Sequence, residues 1–237
     1  MNTRKPELST RLHLLADWVP QGAALVDVGT DHAYLPVRLA LEGRLRFAIA
    51  CDLRPGPLSR GQDTARRFGV LEQIDFRLCD GLAGVGAKEV DTVVIAGMGG
   101  ENIVSILAAA PWTADSNHIL LLQPQSRAEE LRAFLIANGY AICREQLVED
   151  RGTIYPVLKV RPGHQDPYPG QIYGGAHLMG DPLGGRYLVE QILRLQTAVA
   201  GLNRGSGPET SEKADRLRDV IASLMVLWEE WRHANGS

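Results

Sequence analysis

The sequence predicts an α/β protein: a doubly wound sheet followed by an antiparallel pair of helices. Three observations carry this reading. Short apolar runs alternate with amphipathic stretches up to about residue 140, the pattern of successive strand–helix units. Two further strand-like runs, 140–148 and 152–160, follow each other across Glu149-Asp150-Arg151-Gly152, as in a β-hairpin. Beyond them lie two helical stripes, Leu188, Ile192, Leu195 and Val199, then Leu217, Val220, Leu224, Leu227 and Trp231, on either side of a turn at 201–208.

The elements follow in order. Leu8, Leu12, Leu15 and Val19 recur at helical spacing over 8–19, and Pro20 and Gly22 end that helix. Arg4, Lys5 and Arg11 make this end basic; a solvated face is expected, with a phosphate-contacting arm as the alternative. A buried strand at 24–28 holds one acid, Asp27, and breaks at Gly29 into a helix over 34–42, where Pro36 fits the first turn. The second strand, 47–51, ends at Asp52; Pro55 and Pro57 predict a loop before a helix at 58–68. The third strand, 74–78, runs into Cys79-Asp80-Gly81, and the fourth, 91–95, into Ala96-Gly97-Met98-Gly99-Gly100 and a helix at 101–109. The fifth, 118–122, ends in Gln123-Pro124-Gln125, after which Ser126 and Glu129 stand at capping-box spacing for a helix that stops at Asn138-Gly139. The expected domains are 1–161 for the sheet and 187–237 for the helical hairpin, with 162–186, rich in Pro, Gly and Tyr, a structured loop or linker between them. Arg186, Arg194, Arg204, Arg216 and Arg218 of the hairpin are available to a polyanion.

In open α/β sheets ligands bind beyond the carboxyl ends of the strands. The turn after the first strand, Gly29-Thr30-Asp31-His32-Ala33-Tyr34, lacks the G-x-G-x-x-G of a dinucleotide site, with Asp31 and Tyr34 at the second and third glycine positions. A carboxylate there repels a pyrophosphate: like charges about 4 Å apart cost roughly 4 kcal/mol at an effective dielectric near 20. It suits a cation, and S-adenosylmethionine carries an ammonium and a sulfonium but no phosphate. The alternative for Asp31 is a helix cap. Asp52 closes the second strand at about the 20-residue spacing where an acid grips ribose hydroxyls. An ionised carboxylate only accepts hydrogen bonds and so matches a diol; a cap is again the alternative. Asp80, at a third strand end, can accept from an adenine amino group.

Composition sets outer bounds. At 45% hydrophobic and 22% charged residues, it is ordinary for a folded chain. No apolar run approaches the roughly 20 residues that span a bilayer, and residues 1–10 lack the apolar core of a signal peptide. A cytoplasmic protein is expected. Cys51, Cys79 and Cys143 are widely spaced and read as small buried hydrophobes, so neither a disulfide framework nor a metal site is expected. A net charge of −3 does not advertise a nucleic-acid binder, nor does it exclude one, because a local patch matters more than the sum.

Five segments together resemble one family: Leu8-Ser9-x-Arg11-Leu12; Asp27-Val28-Gly29-Thr30-Asp31-His32-Ala33-Tyr34-Leu35-Pro36; Ile95-Ala96-Gly97-Met98-Gly99-Gly100; Leu122-Gln123-Pro124; and Glu149-Asp150-x-x-x-Ile154-Tyr155. The sequence is similar to the bacterial tRNA (adenine-22-N1)-methyltransferases over about residues 8 to 160. The resemblance implies a seven-stranded, Rossmann-like class I methyltransferase sheet with a C-terminal coiled coil. It implies S-adenosylmethionine held by Asp27, Gly29, Thr30, Asp31, His32, Asp52, Leu53, Asp80, Gly81, Ala96, Gly97 and Met98. The substrate would be tRNA, with 1-methyladenine at position 22 as product. Asp31 and His32 are expected nearest the reacting atoms, and Tyr34, Gly99, Gly100, Gln123, Pro124 and Tyr155 around the target base. A monomer without metal or membrane contact is expected. Enzymes that methylate exocyclic amines normally carry Asn/Asp-Pro-Pro-Tyr/Phe after the fourth strand, and Ala96-Gly97-Met98-Gly99 replaces it. The residues alone leave a small-molecule or other-RNA methyltransferase, a non-catalytic nucleotide-binding module and a nicotinamide oxidoreductase as alternatives.

Overall fold

The computed structural model describes residues 5–115, 117–205 and 207–236, which form two compact units. The first comprises the chain to Arg144 and Val148–His164, the second Glu145–Leu147 and Gln165–Ser237.

The first unit is built on seven strands: β1 (Ala23–Val28), β2 (Leu45–Asp52), β3 (Ile74–Leu78), β4 (Thr92–Gly99), β5 (Ile119–Ser126), β6 (Tyr140–Asp150) and β7 (Thr153–Pro162). Their order is β3-β2-β1-β4-β5-β7-β6. β1 pairs in parallel with both β2 and β4, and β7 runs antiparallel to β5. The chain steps outward from β1 to β3, then returns to lay β4 on the other side of β1. That reversal opens a crevice beyond the ends of β1 and β4, where ligands of such sheets bind.

Every residue of β1 is buried, which explains its continuous apolar run. Its side chains still alternate between faces. Val26 and Val28 join Val93, Ile95, Leu120 and Leu122 under α4 (Gly100–Ala108) and α5 (Ala128–Ala137). On the opposite face Leu25, Val94 and Leu121 meet Leu15 and Trp18 of α1 (Thr10–Trp18) and Leu35 and Leu39 of α2 (Tyr34–Leu41). Helices on both faces make the sheet doubly wound, as expected.

Three local expectations are corrected. The helix after β2, α3 (Pro55–Phe68), begins at Pro55, with only Leu53 and Arg54 between strand and helix. Prolines in a first turn cost nothing there, since those N–H groups lack intrahelical partners in any case. Ser126 does not cap α5: it is the last residue of β5, paired with Gly99, and Arg127 stands at the N-cap with φ 51° and no side-chain bond. Cys143 is exposed rather than buried, because β6 is the sheet's edge strand. The hairpin turn at Arg151 and Gly152 has φ of 53° and 81°, the double positive φ that matches the twist of two antiparallel strands.

The second unit contains α6 (Pro169–Gly174), α7 (Gly184–Leu202) and α8 (Pro208–Ala234). α6 and the start of α7 lie within the 162–186 stretch read as loop or linker. The predicted stripes meet: Leu188 and Leu195 of α7 pack on Val220, Leu224 and Leu227 of α8, and the Trp231 indole N–H donates to the Asp181 carbonyl at 3.0 Å. Among the described residues no helix is long and apolar enough to cross a membrane.

Candidate active site

Two clefts lie at the carboxyl ends of the central strands. The first, about 400 Å³, is bordered by Gly29, Asp52, Leu53, Asp80, Gly81 and Met98, among others. The second, about 280 Å³, is bordered by Arg11, Asp27, Thr30, Asp31, His32, Tyr34, Ala96 and Gly97, among others, and again by Gly29. Gly29 is common to both. It adopts φ +73°, and a Cβ there would lie 2.1 Å from Met98 Cε. A bare backbone at this point therefore leaves room for the Met98 side chain.

Asp52 is buried, and its Oδ1 accepts the Arg54 N–H at 2.9 Å, forming the turn that launches α3. Its other oxygen has no hydrogen-bond partner among the described residues, so the turn role and an acceptor role toward a ligand coexist. Beside it Leu53 is 64% exposed, a large apolar surface open to a flat ring. Asp27 is buried and its Oδ2 accepts the Thr30 hydroxyl at 2.6 Å. Burial pushes its carboxyl up to about 6, and the Asp52 charge pushes the same way, against the lowering effect of the Thr30 hydrogen bond. These residues fit a ligand with a diol at one end and a cationic group at the other.

Asp31 does not cap α2, whose N-cap is Ala33 with φ 53° and no side-chain bond. Its carboxylate is exposed and paired with Arg60, whose Nε lies at 3.1 Å. His32 sits with Nε2 3.7 Å from Asp31 and stacks on Tyr34, centroids 5.1 Å apart and planes 8° from parallel. The pair forms a flat platform beside the second cleft.

The other residues expected around the substrate are held by protein neighbours. Gln123 is fully buried and Pro124 is buried beside it. Gln123 Oε1 accepts the Gly97 N–H at 3.1 Å and Arg11 at 2.7 Å, while its amide donates to the Pro124 carbonyl. The Tyr155 ring lies under the Arg11 guanidinium, 5.1 Å from its centroid, so that face is not open to a base. Gly100 is buried where α4 starts, and a Cβ there would lie 2.3 Å from the Arg127 carbonyl oxygen. It serves packing, whereas Gly97 is exposed and Gly99 half-buried. Gly100→Ala should therefore cost roughly 1–3 kcal/mol by overpacking. Urea unfolding should show a lower midpoint at unchanged slope; an unchanged midpoint contradicts this packing role.

Arg11 was expected on a solvated face. Instead it lines the second cleft, with Nε 2.7 Å from Asp150 Oδ2. Its position within Leu8-Ser9-x-Arg11-Leu12 was the available signal. Among the described residues no group of three or more His, Cys, Asp or Glu is arranged to hold a metal.

The strand order, the antiparallel β7 and the acids at the strand ends define a class I, Rossmann-like methyltransferase domain. Residues 8–158 match the methyltransferase domain family. The tRNA (adenine(22)-N(1))-methyltransferase of Bacillus subtilis is 34% identical over 185 residues, 78% of this chain and 76% of that protein. The crystal structure of the B. subtilis m1A22 tRNA methyltransferase TrmK superposes with TM-score 0.86 at 27% identity, covering 94% of this chain and 99% of that one. A putative tRNA (m1A22) methyltransferase of Streptococcus pneumoniae, in complex with S-adenosyl-L-methionine, gives 0.81 at 31% identity over 94% and 100% of the two chains. The chain belongs to the tRNA (adenine-22-N1)-methyltransferase family.

Proposed function

We infer that this chain transfers a methyl group from S-adenosylmethionine to N1 of adenine 22 in tRNA. The observation that carries the reading is the pair of clefts that share Gly29 as a border, with an acceptor-only acid, Asp52, in one and Asp27 and Asp31 in the other. Family membership supports the substrate. Bound in the crevice, the cofactor supplies an electrophilic sulfonium methyl.

The protein's own part is binding and orientation. Asp52 accepts from the ribose diol, Leu53 and the Asp80-Gly81 turn border the adenine, and Asp27 and Asp31 face the cationic end. The His32–Tyr34 platform borders the space left by Gly97 and Gly99, where the target base lies. N1 is hidden in a paired base, so the adenine must be unpaired or flipped out to enter. Its N1 lone pair is the nucleophile, and no side chain need form a covalent bond. Holding two reactants in line supplies up to roughly 7–11 kcal/mol. Methylation leaves the ring cationic, and Asp31 is the acid beside His32 that offsets this charge. A monomer acting in the cytoplasm belongs to the same reading.

Asp27 makes binding pH-dependent. Its carboxyl is neutral well below its value of about 6 and ionised above it. The affinity for S-adenosylhomocysteine, whose ammonium needs the ionised form, should rise from pH 5 to 7 and then level. Asp27→Asn should flatten that profile. Because the fold raises this pKa from 3.8 to about 6, ionisation costs stability above pH 6, on the order of 3 kcal/mol. Asp27→Asn should thus melt higher than the parent at pH 8, and a lower melting temperature contradicts the assignment.

The activity is tested by incubating the protein with S-adenosylmethionine and unmodified tRNA, then digesting to nucleosides. 1-Methyladenine is expected. Its absence, or N6-methyladenine formed directly, overturns the reading.

A further inference from the structure

The turn that carries Asp31 and His32 is held in an unfavourable backbone. Asp31 has φ 36° and Ala33 φ 53°, both in the left-handed region that residues with a Cβ rarely adopt. Such conformations persist where neighbours over-determine them, and they gather at functional sites. Ala33 is fully buried, and its N–H donates to the Thr30 carbonyl at 2.7 Å. α3 supplies further support through two adjacent residues. Gly61 lies against Ala33: a Cβ there would be 3.2 Å from the Ala33 Cβ and 3.0 Å from Phe76 Cε1. Arg60 reaches Asp31: Nε, at 3.1 Å, and Nη2 both donate to Oδ1. The two carboxylate oxygens are thereby divided. Oδ1 is taken by Arg60, and Oδ2 lies 3.7 Å from His32 Nε2. His32 in turn stacks on Tyr34. Asp31, His32 and Tyr34 border the second cleft, whereas Arg60 is not among the described residues that do.

We propose that Arg60 is a positioning residue for methyl transfer, holding the Asp31 carboxylate so that Oδ2 and the His32–Tyr34 platform keep a fixed place at the target base. This rests on the methyl-transfer reading above. In that reaction the N1 lone pair forms the new N–C bond, the C–S bond breaks, and its electron pair stays on sulfur. Positive charge therefore passes from the sulfonium to the adenine ring. An acid offsets that charge best when it is already in place, with no reorganisation left to make as the charge develops. Asp31 is exposed, so burial does not fix its carboxylate, and the tie from α3 does. A guanidinium suits this duty, because it stays charged and its rigid fork delivers two donors at once. Arg60 thus acts through Asp31 and not on the substrate.

The test is the rate of 1-methyladenine formation at saturating S-adenosylmethionine with tRNA varied. It compares the full chain with Arg60→Gln, Arg60→Lys, Asp31→Asn and the double variant Arg60→Gln with Asp31→Asn. Arg60→Gln should lower kcat by roughly 10- to 100-fold, the scale of loss when a group is misplaced by about 1 Å, and leave the KM for tRNA unchanged. Arg60→Lys keeps one cationic donor and should fall between Arg60→Gln and the parent. In the double variant the Arg60 change should cost nothing beyond Asp31→Asn, because the interaction is already gone. The ion pair is exposed and adds little to stability, so Arg60→Gln should melt with the parent. It should also bind S-adenosylhomocysteine no more weakly, since a cation is removed from beside the acids. A raised KM at unchanged kcat overturns the proposal and makes Arg60 a phosphate contact. Losses that add in full in the double variant also overturn it, as does Arg60→Lys no better than Arg60→Gln. The lysine comparison decides alone if Asp31→Asn is too slow to measure. A collapsed melting temperature, or S-adenosylhomocysteine binding lost in step with kcat, makes Arg60 a strut of the turn and overturns the proposal too. Absence of 1-methyladenine with the unsubstituted chain overturns the methyl-transfer reading itself, an outcome visible before any variant is measured.

Discussion

Asp52→Asn should lower the affinity for S-adenosylhomocysteine by roughly 100-fold, the equivalent of about 3 kcal/mol, without harming the fold. The two oxygens of Asp52 have separate duties. Oδ1 accepts the Arg54 N–H at 2.9 Å, and an asparagine carbonyl can do the same, so the turn into α3 survives. On the ribose reading the other oxygen is the acceptor for the diol, and the substitution replaces it with an NH2 that donates. Two donors, the amide and a ribose hydroxyl, would then face each other. The site is buried, so water cannot easily relieve the conflict. Calorimetry measures the loss and thermal melting checks the fold. Affinity within a few-fold of the parent contradicts the ribose assignment; a collapsed melting temperature shows that the acid's main duty is the turn.

Gly29→Ala should abolish detectable cofactor binding at a modest cost in stability. At φ +73° a Cβ costs roughly 1–2 kcal/mol. For a chain of this size that is a fall of roughly 2–8 °C in melting temperature. The steric conflict falls on Met98 Cε, 2.1 Å from the added carbon, and not on backbone. Methionine is flexible and can move its terminal methyl. It borders the first cleft, so the displaced methyl narrows the space left for the ligand. Gly29→Ala combined with Met98→Ala should recover part of the binding, since the obstructing methyl is then gone. Binding by Gly29→Ala alone, at parental affinity, contradicts the placement of the ligand against Gly29.

What could be read from sequence divides by sequence distance. The turn after β1 and the acid closing β2 were legible because each is a local pattern: an apolar run, a glycine needing positive φ, a carboxylate at a strand end. The sheet and its hairpin followed from the same periodicities. Roles set by distant neighbours were not. Gln123 stands at a strand end like Asp52, yet it is buried because Arg11, 112 residues earlier in the chain, and Gly97 use its carbonyl oxygen. Tyr155 was expected beside the target base, but one face of its ring is covered by that same arginine. Arg11 itself carries the period of an exposed helix face and is drawn inward by Asp150, 139 residues away. Gly100 was expected with Gly99 beside the target base, and only the approach of the Arg127 carbonyl shows that it serves packing.

The central claim is that this crevice delivers a methyl group to the Watson–Crick edge of one adenine in tRNA. Primer extension on a tRNA transcript treated with the protein and S-adenosylmethionine tests it most directly, because a methyl on N1 blocks pairing and halts the polymerase. A stop one nucleotide before position 22 is predicted, lost when adenine 22 is replaced by guanine and lost with Asp52→Asn at limiting donor. Full-length extension through position 22, or a stop that persists with guanine there, contradicts the account.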